Sequence, residues 1–482
     1  MSTYEAAKHG RRSRHWYAPN VGPSAAIQFA LETLRNRSRA EIRQNAYAAR
    51  ASDAFVSNLV GTGIRPLPKV PNREAREMLQ RTWNDWQQEA DAAGELDFYG
   101  LEAQIARAWF DGGEAFVRFR SRRPSDGLTV PFQIQVLESE HLPLHMNTAA
   151  SNGNKIRSGI EFDAIGRRAA YHFYRSHPGE AGIDGGEGLT TTRVPASEVL
   201  HIYLPSRPGQ KRGEPGLTQA LITLRDLHEW NDAELTRQKM ASMFLGFVQK
   251  QGEEGPPLGT QDTDADEAEG DTPVDVQTME PGTMTELAEG EEVKWTDPPN
   301  VGSAYEPFVR AQLRSVAQSC AVLYEQISGD YSQINDRTYR AAHNDLRRQV
   351  ERLQQNVIVP QLCRPVWRQF LARARATGAI TKPAEISERD FLQADWIPQA
   401  FRHLHPVQEE QAQQTAVRSG FKPRSEVIIE RGGDPLETDE TFADDFERSD
   451  DLGLVFDTDP RNTTGFGGSQ GLDSGFPTDQ EE

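Results

Sequence analysis

Residues 201–216 read HIYLPSRPGQKRGEPG, a turn rich in proline and glycine set between two different hydrophobic periods. Just upstream, Val199–Leu204 reads as a short strand. Just downstream, the chain from about Leu217 to Phe244 reads as a helix. At 1.5 Å per residue that helix would be on the order of 40 Å long. The turn thus separates a mixed region from a helical one, and the class is α+β with helix dominant.

Further upstream a two-residue period runs through Ala115–Arg120 (AFVRFR) and Phe132–Leu137 (FQIQVL). Ile160–Phe162 and Ala170–Tyr174 continue as short strands. Before them the period lengthens. A helical stretch is expected from about Ser24 to Leu59, where Tyr47, Ala51, Ala54, Phe55, Asn58 and Leu59 keep helical spacing, and it stops at Gly61-Thr62-Gly63. Helices are also expected over Asn72–Asp91, carrying Trp83 and Trp86, and over Tyr99–Phe110, closed by Gly112-Gly113. Residues 1–25 are polar and read as an arm.

Downstream of the long helix, 251–275 holds almost nothing apolar beyond Leu258 and Val274, so a disordered or solvated loop is expected. Strands are expected near Met284–Leu287 and Val293–Trp295, then a helix over Tyr305–Gln326. The polar break Ser328–Asp336 precedes a very long helix, Arg337–Ala376, whose Leu346, Val350, Leu353 and Val357 fall on one stripe. Helix is expected again over His405–Ser419 and Pro423–Arg431. No internal repeat is visible.

The 482 residues carry a formal charge of −19, but the charge is local. Residues 251–293 hold 14 acids and no Lys or Arg, while 434–482 hold 15 acids against Arg448 and Arg461. The other 390 residues are therefore at about +8, a mildly basic body that leaves nucleic-acid contact open. Only Cys320 and Cys363 are present, too few for a disulfide framework or a Cys-rich zinc site, so a reducing compartment is expected. The longest strongly apolar run, Met243–Val248, is far short of a membrane span, and no apolar run follows the basic N-terminus to make a secretory signal.

Enzyme signatures are scarce. Gly61-Thr62-Gly63 opens like a dinucleotide fingerprint, but Pro66 holds the third glycine's place, so it reads as a helix C-cap. No GxxxxGK[ST] loop and no GxSxG elbow occurs. Asp262, Asp264 and Asp266 begin like a calcium loop, yet Glu267 and Pro273 occupy the positions of its glycine and closing glutamate. His403 and His405 lack a nearby third metal ligand. Asp111-Gly112-Gly113-Glu114, between a helix and a strand, reads as a tight turn rather than a pair of catalytic carboxylates. No catalytic, cofactor-binding or metal-binding set emerges.

What stands out is a series of patterned turns in a fixed order. They are Arg43-Gln44-Asn45-Ala46-Tyr47-Ala48 leading to Val60–Ile64, then Asp111–Phe116, Pro131–Glu138 and Gly159–Glu161. His201, Arg207, Gly209, Gln210, Arg212 and Gly213 follow, and then Pro281, Gly282, Leu287, Gly290 and Glu291. In this order they resemble the lambda-type family of tailed-phage portal proteins, from about residue 30 to 435. Two stretches depart from it: the family's Gly-Val-Pro-Tyr-Glu is here Ala321-Val322-Leu323-Tyr324-Glu325, and its Asn-Tyr-Ser-Ser-x-Arg-Ala is here Asn335-Asp336-Arg337-Thr338-Tyr339-Arg340-Ala341.

The resemblance implies a portal fold of wing, stem, clip and crown, assembling into a dodecameric ring with a central channel at one capsid vertex. It divides the chain into a flexible N-terminal arm (1–25), a mixed α/β wing (26–207), a stem helix (208–244), and a clip with an acidic loop (245–300). A second stem helix (301–327), a channel loop (328–336), a long wing and channel helix (337–384), a crown (385–433) and an acidic disordered tail (434–482) complete it. Double-stranded DNA would pass through the channel, driven by the terminase large subunit; head-tail adaptors would attach later, and major capsid and scaffolding proteins would surround the ring. The portal itself would hydrolyse nothing and need no cofactor, and no membrane is involved. It would work in the virion, after assembly in the host cytoplasm.

The resemblance also implies sites. Asp330, Tyr331, Ser332, Gln333, Asn335 and Asp336 would face the channel, with Arg337 and Arg340 touching phosphates transiently. Many fixed cation contacts would instead trap the duplex. Glu286, Glu289, Glu291, Glu292 and Lys294 would meet terminase or adaptor at the clip. Arg347, Arg348 and Arg352 would pair with acids of a neighbouring copy, since a ring needs two different complementary faces. The alternatives are a DNA-processing enzyme or DNA-binding module, which would need a carboxylate cluster or a basic aromatic groove, and a shorter adaptor or scaffold protein.

Overall fold

The computed structural model describes residues 11, 14, 16–180, 189–242, 246–250, 291–295, 302–401 and 406–456. They fall into two compact units, 1–221 with 316–482, and 222–315.

The smaller unit is a pair of helices linked through a β-ribbon. Leu221–Ser242 is the first helix, Gly246–Lys250 pairs antiparallel with Glu291–Trp295, and Gly302–Cys320 is the second. Trp230 stacks on Tyr305 at 5.1 Å and lies 4.6 Å from Phe308, so aromatic rings hold the helices together. The Tyr305 hydroxyl also donates to Asn231 Oδ1 at 3.1 Å. The loop expected at 251–275 and the strand expected at Met284–Leu287 lie outside the described residues.

The larger unit opens with three helices, Pro23–Gln28, Leu31–Gln44 and Ala46–Leu59, where one helical stretch was expected. Asn45 makes the second break. Its backbone is extended, and its side chain accepts the Tyr47 N–H at 3.0 Å, capping the helix that follows. Asn72 and Asp97 cap Arg73–Gln88 and Phe98–Gly112 in the same way. Trp83 and Trp86, three residues apart and fully buried, lie 4.9 Å from each other and meet Phe98, Phe132, Trp367 and Phe370 at ring separations of 5.1–5.9 Å. This aromatic core joins segments nearly 300 residues apart in sequence.

Two antiparallel sheets follow. One has the order Phe132–Glu138, Ala115–Ser121, Val199–Ile202; the other runs Thr148–Ala149, Lys155–Arg157, Ile160–Phe162, Arg168–Tyr174, Thr191–Pro195. They share a core of Phe116, Leu137, Ile160, Phe162, Tyr171, Phe173, Val194 and Val199. A further ribbon, Arg65–Pro68 against Ala394–Ile397, was not expected from RPLP. Its prolines sit two apart, so both missing N–H groups fall on the outer edge, while Lys69 N–H on the inner edge donates to Gln393 O at 3.0 Å.

The long helix expected over Arg337–Ala376 is one helical path in three parts. Asp336–Leu353 and Arg364–Thr377 are α-helical, and Gln354–Cys363 between them is wound as a π-helix. Pro360 explains it, because its ring cannot fit an α-turn and it has no N–H to donate. Beside this segment Glu102 is fully buried, accepting from Ile64 N at 2.8 Å and from Cys363 Sγ at 3.4 Å. Burial pushes its carboxyl up to about 8.

The helix expected over Tyr305–Gln326 ends early, at Cys320. Ala321 adopts φ +57°, and the Val322 N–H closes back on Ala317 O at 3.2 Å, a Schellman ending. Beyond the ribbon, Pro406–Arg418, Arg424–Glu430 and Pro435–Asp451 are helices with no buried residue. The last corrects the expectation of a disordered tail over 435–451, while 457–482 lie outside the described residues. Asp434 accepts the Leu436 N–H at 2.8 Å and Pro435 starts the helix, so a complete N-cap overrides the acidic composition. No helix among the described residues is long and apolar enough to cross a membrane.

Candidate functional site

Two places gather the residues singled out by the sequence, and they are built on opposite principles. The first is buried. The Phe98–Gly112 helix ends at Gly113, which holds φ +90° and leaves no room for a side chain: a Cβ there would lie 2.6 Å from the Glu214 carbonyl carbon. Gly213 faces it, and a Cβ on Gly213 would meet Gly113 O at 1.9 Å. This close backbone approach brings the 201–216 turn against the start of the Ala115–Ser121 strand, and Glu114 sits at the junction.

Glu114 is fully buried and surrounded by donors. Arg35 Nη2 donates to Oε1 at 2.5 Å and Arg212 Nε at 2.7 Å; His201 Nε2 lies 2.8 Å from Oε2, and the Gly213 N–H donates to Oε2 at 3.0 Å. The rest of the Arg212 fork is satisfied by the carbonyls of Ser139, Leu142 and Ser158 at 3.0–3.2 Å. Burial alone would raise the Glu114 carboxyl, but Arg212 and Arg35 outweigh it and hold the group well below the usual carboxylate range. Burial lowers Arg35 to about 10 and His201 to about 4, so His201 is neutral at neutral pH. Its ring lies between Phe116 at 4.5 Å and Tyr203 at 4.4 Å.

Perturbed groups of this kind mark active sites when they line a cleft. Here the carboxylate, both arginines and the histidine are all buried, and neither main cleft of the described residues includes them. No substrate atom could reach Glu114. The cluster is a fastener: it ties the Leu31–Gln44 helix, both sheets and the 201–216 turn to one carboxylate. Asp111 is not its partner and bonds Ser52 Oγ at 2.7 Å instead. Arg35 was missed in the sequence, although Leu31, Arg35 and Ser38 share the buried stripe of their helix.

The second place is exposed. The loop follows the short Tyr324–Ser328 helix, closed by Gly329 at φ +69°. That helix is anchored by a reciprocal amide pair, Gln326 with Asn58, at 3.0 Å in both directions, and by Arg50 donating to Gln326 O at 3.0 Å. Within the loop Asp330 Oδ1 accepts from Ser332 N at 3.0 Å and from Ser332 Oγ at 2.6 Å, and Asn335 caps the next helix through Thr338 N at 2.9 Å. Tyr331, 55 % exposed, lies 6.4 Å from the Tyr339 ring. Ser332, Gln333, Asn335, Asp336 and Arg337 are exposed, while Asp330 and Arg340 are half-buried. Arg340 pairs with Asp336 at 3.0 Å across one helical turn. All eight residues expected in a channel loop thus share one braced, polar connection whose only cations are Arg337 and the already paired Arg340.

Of the residues expected at the clip, Glu291, Glu292 and Lys294 lie on the Glu291–Trp295 strand, in register with Lys250, Gln249 and Phe247. Glu286 and Glu289 lie outside the described residues, as do Asp262, Asp264, Asp266, His403 and His405. Arg347 pairs with Glu351 of its own helix at 2.8 Å, Arg348 approaches Asp345 at 3.9 Å, and Arg352 is exposed. Glu138, Glu140 and His177 bring one ligand atom each within 4.8 Å of one another. Arg39 already clamps Glu140 at 2.5 and 2.8 Å, and the Gly179 N–H donates to His177 Nδ1 at 3.1 Å. With Nδ1 accepting, the ring proton lies on Nε2, the atom 3.3 Å from Glu138 Oε2, so that nitrogen offers no lone pair to a metal.

The chain is similar to known proteins over most of its length. A probable portal protein of Halomonas phage phiHAP-1 is 25 % identical over 467 residues, covering 94 % of this chain and 88 % of its own length. Portal protein B of Escherichia phage lambda is 22 % identical over 377 residues, 70 % and 68 % of the two chains. Among solved structures, a chain from the neck of a native gene transfer agent particle, computed with C12 symmetry, is 15 % identical at a TM-score of 0.43, covering 87 % of this chain and 96 % of its own. The family model described as phage portal protein, lambda family, matches residues 9–354, a span that includes the Glu114 cluster and the loop after Ser328. With well over half of its length matched, this chain belongs to the lambda family of phage portal proteins.

Proposed function

We propose that this portal protein assembles into a closed dodecameric ring at one capsid vertex, through which double-stranded DNA enters under the terminase large subunit and later leaves. The observation that carries the reading is the separate 222–315 unit, two helices ending in a β-ribbon, which suits a narrow stem tipped by a clip. In this assignment the wing is 26–207, the long helix 337–384 follows the ring, and 385–433 with the Pro435–Asp451 helix form the crown. Glu286, Glu289, Glu291, Glu292 and Lys294 meet terminase first and head-tail adaptors afterwards. Major capsid and scaffolding proteins surround the wing.

Asp330, Tyr331, Ser332, Gln333, Asn335, Asp336, Arg337 and Arg340 line the channel. Exposed acids and small polar groups repel or slide past phosphates, whereas a row of free arginines would hold them through salt-sensitive contacts. Arg347 and Arg348 exchange their intrahelical partners for acids of the next copy, and Arg352 pairs with those acids too. The chain catalyses no reaction and acts in the virion after assembly in the host cytoplasm. Electron microscopy of the purified full chain tests this: a ring with a central hole and Tyr331 on its inner wall is expected. A monomer at high concentration, or Tyr331 and Gln333 on the outer wall, would overturn it.

A further inference from the structure

A cleft of about 390 Å³ opens where the Arg65–Pro68/Ala394–Ile397 ribbon meets the Arg364–Thr377 helix. Arg364, Arg368, Lys69 and Arg389 line it, from the helix, the end of the first strand and the short Glu388–Phe391 helix. Asp395, paired with Lys69 at 2.6 Å, is the one acid in its wall. Arg364, Arg368 and Arg389 are exposed and make no ion pair among the described residues. The wall therefore carries a local charge of +3 on groups that no acid among the described residues neutralises.

Trp367 also lines the cleft, but it is 1 % exposed and its indole N–H is buried out of a ligand's reach, so the cations alone supply the donors. Three guanidinium forks and an ammonium offer more donors than the two oxygens of a carboxylate can use. A phosphate group, with more oxygens and up to two charges, matches that number.

We propose that this cleft is a phosphate-binding site, held by Arg364, Arg368, Arg389 and Lys69, for a phosphate of the DNA backbone or a free phosphate ion. Only the DNA source rests on the portal reading; the anion site stands without it. Arg364 and Arg368 are one helical turn apart and grip neighbouring oxygens, and Arg389 closes the cleft from the other side. Binding here would give the duplex a fixed grip outside the channel loop, where two cations at most are offered.

Calorimetric titration of the full chain with inorganic phosphate, and fluorescence anisotropy with a short labelled duplex, test the proposal. Saturable phosphate binding is expected in the wild type, with loss of about tenfold or more in Arg364→Gln/Arg368→Gln/Arg389→Gln and no change in Arg167→Gln. Should the triple variant not fold, Arg389→Gln alone, in an exposed short helix, carries the test with a smaller loss. If duplex affinity falls with phosphate affinity, and the slope of log K against log salt drops by about 0.9 for each phosphate no longer neutralised, the source is DNA. If phosphate binding falls while duplex affinity holds, the ligand is the free ion. No saturable phosphate binding, equal binding in the variants, or displacement only by an acidic peptide of residues 434–456 would overturn the site. Ring formation, read by electron microscopy on the same samples, is scored separately.

Discussion

The Glu114 cluster and the loop after Ser328 both hold ionisable residues in a patterned turn, and they do opposite work. At Glu114 one carboxylate receives two arginines, a histidine and a backbone N–H, all shielded from solvent. In the loop, single polar groups bond their own near neighbours and leave their outer faces open. The family-like residues His201, Arg212 and Gly213 belong to the first place. The departures from the family pattern belong to the second. A strong motif in this chain therefore marks a joint of the scaffold, whereas the loop is built from polar groups left open to solvent.

The sharpest way to break that contrast is Glu114→Ala. It leaves Arg35 and Arg212 buried without a counter-charge, and a loss of about 3–5 kcal/mol is expected in denaturant unfolding. A loss below about 1 kcal/mol would mean the cluster is not a fastener. Next in size is Glu102→Gln, a second buried carboxyl, whose pKa is raised to about 8. Between the unfolded value near 4.5 and 8 the unfolded state binds fewer protons, so this group lowers stability as pH rises. The amide keeps the hydrogen bond to Ile64 and should gain at least about 2 kcal/mol at pH 8, with little gain at pH 4.

His201 gives the opposite slope. Its folded pKa, about 4, is below the usual 6.5, so the unfolded state binds more protons in that window and stability falls as pH drops from 6.5 towards 4. In His201→Gln the acid-side loss should flatten, as followed by melting temperature from about pH 4 to 7. A smaller effect is expected at Ala321, held at φ +57° where the family pattern has glycine. Ala321→Gly should stabilise by about 1 kcal/mol, since glycine adopts that conformation without strain. The smallest is in the loop itself. Tyr331→Ala and Gln333→Ala should shift stability by no more than about 0.5 kcal/mol and leave the ring intact, while changing the rate of DNA packaging. Loop variants as damaging as Glu114→Ala would erase the comparison.

Legibility in the sequence followed the range of the interactions. Strands Ala115–Ser121, Phe132–Glu138 and Ile160–Phe162 were readable within a residue or so because alternation is a local pattern. The π-wound segment was readable only as helix, since Pro360 shows that an α-turn must fail there but not how the chain will absorb it. The Arg65–Pro68 strand was hidden because its partner lies over 300 residues away and its own prolines argue against a sheet. The acidic helix Pro435–Asp451 was hidden by composition, although Asp434 and Pro435 carried the signal of its start. At the candidate site, the loop residues were readable as one polar stretch because they lie close together in sequence. Arg35 was not, because nothing local distinguishes an arginine aimed at a carboxylate 79 residues away.

Taken alone, the amino-acid order determined the helical and strand periods, the two acidic blocks and the ordered turns that mark the family, because each is a property of neighbouring residues. Only the tertiary structure decided which charges would be buried together. It placed Arg35, Glu114, His201 and Arg212 at one point, left Arg364, Arg368 and Arg389 facing an open cleft, and so separated charge spent on holding the fold from charge left free to bind. The physical reason is that a charge owes its role to its surroundings. In water an arginine is a solvated cation; with solvent excluded it must find a carboxylate or not be there.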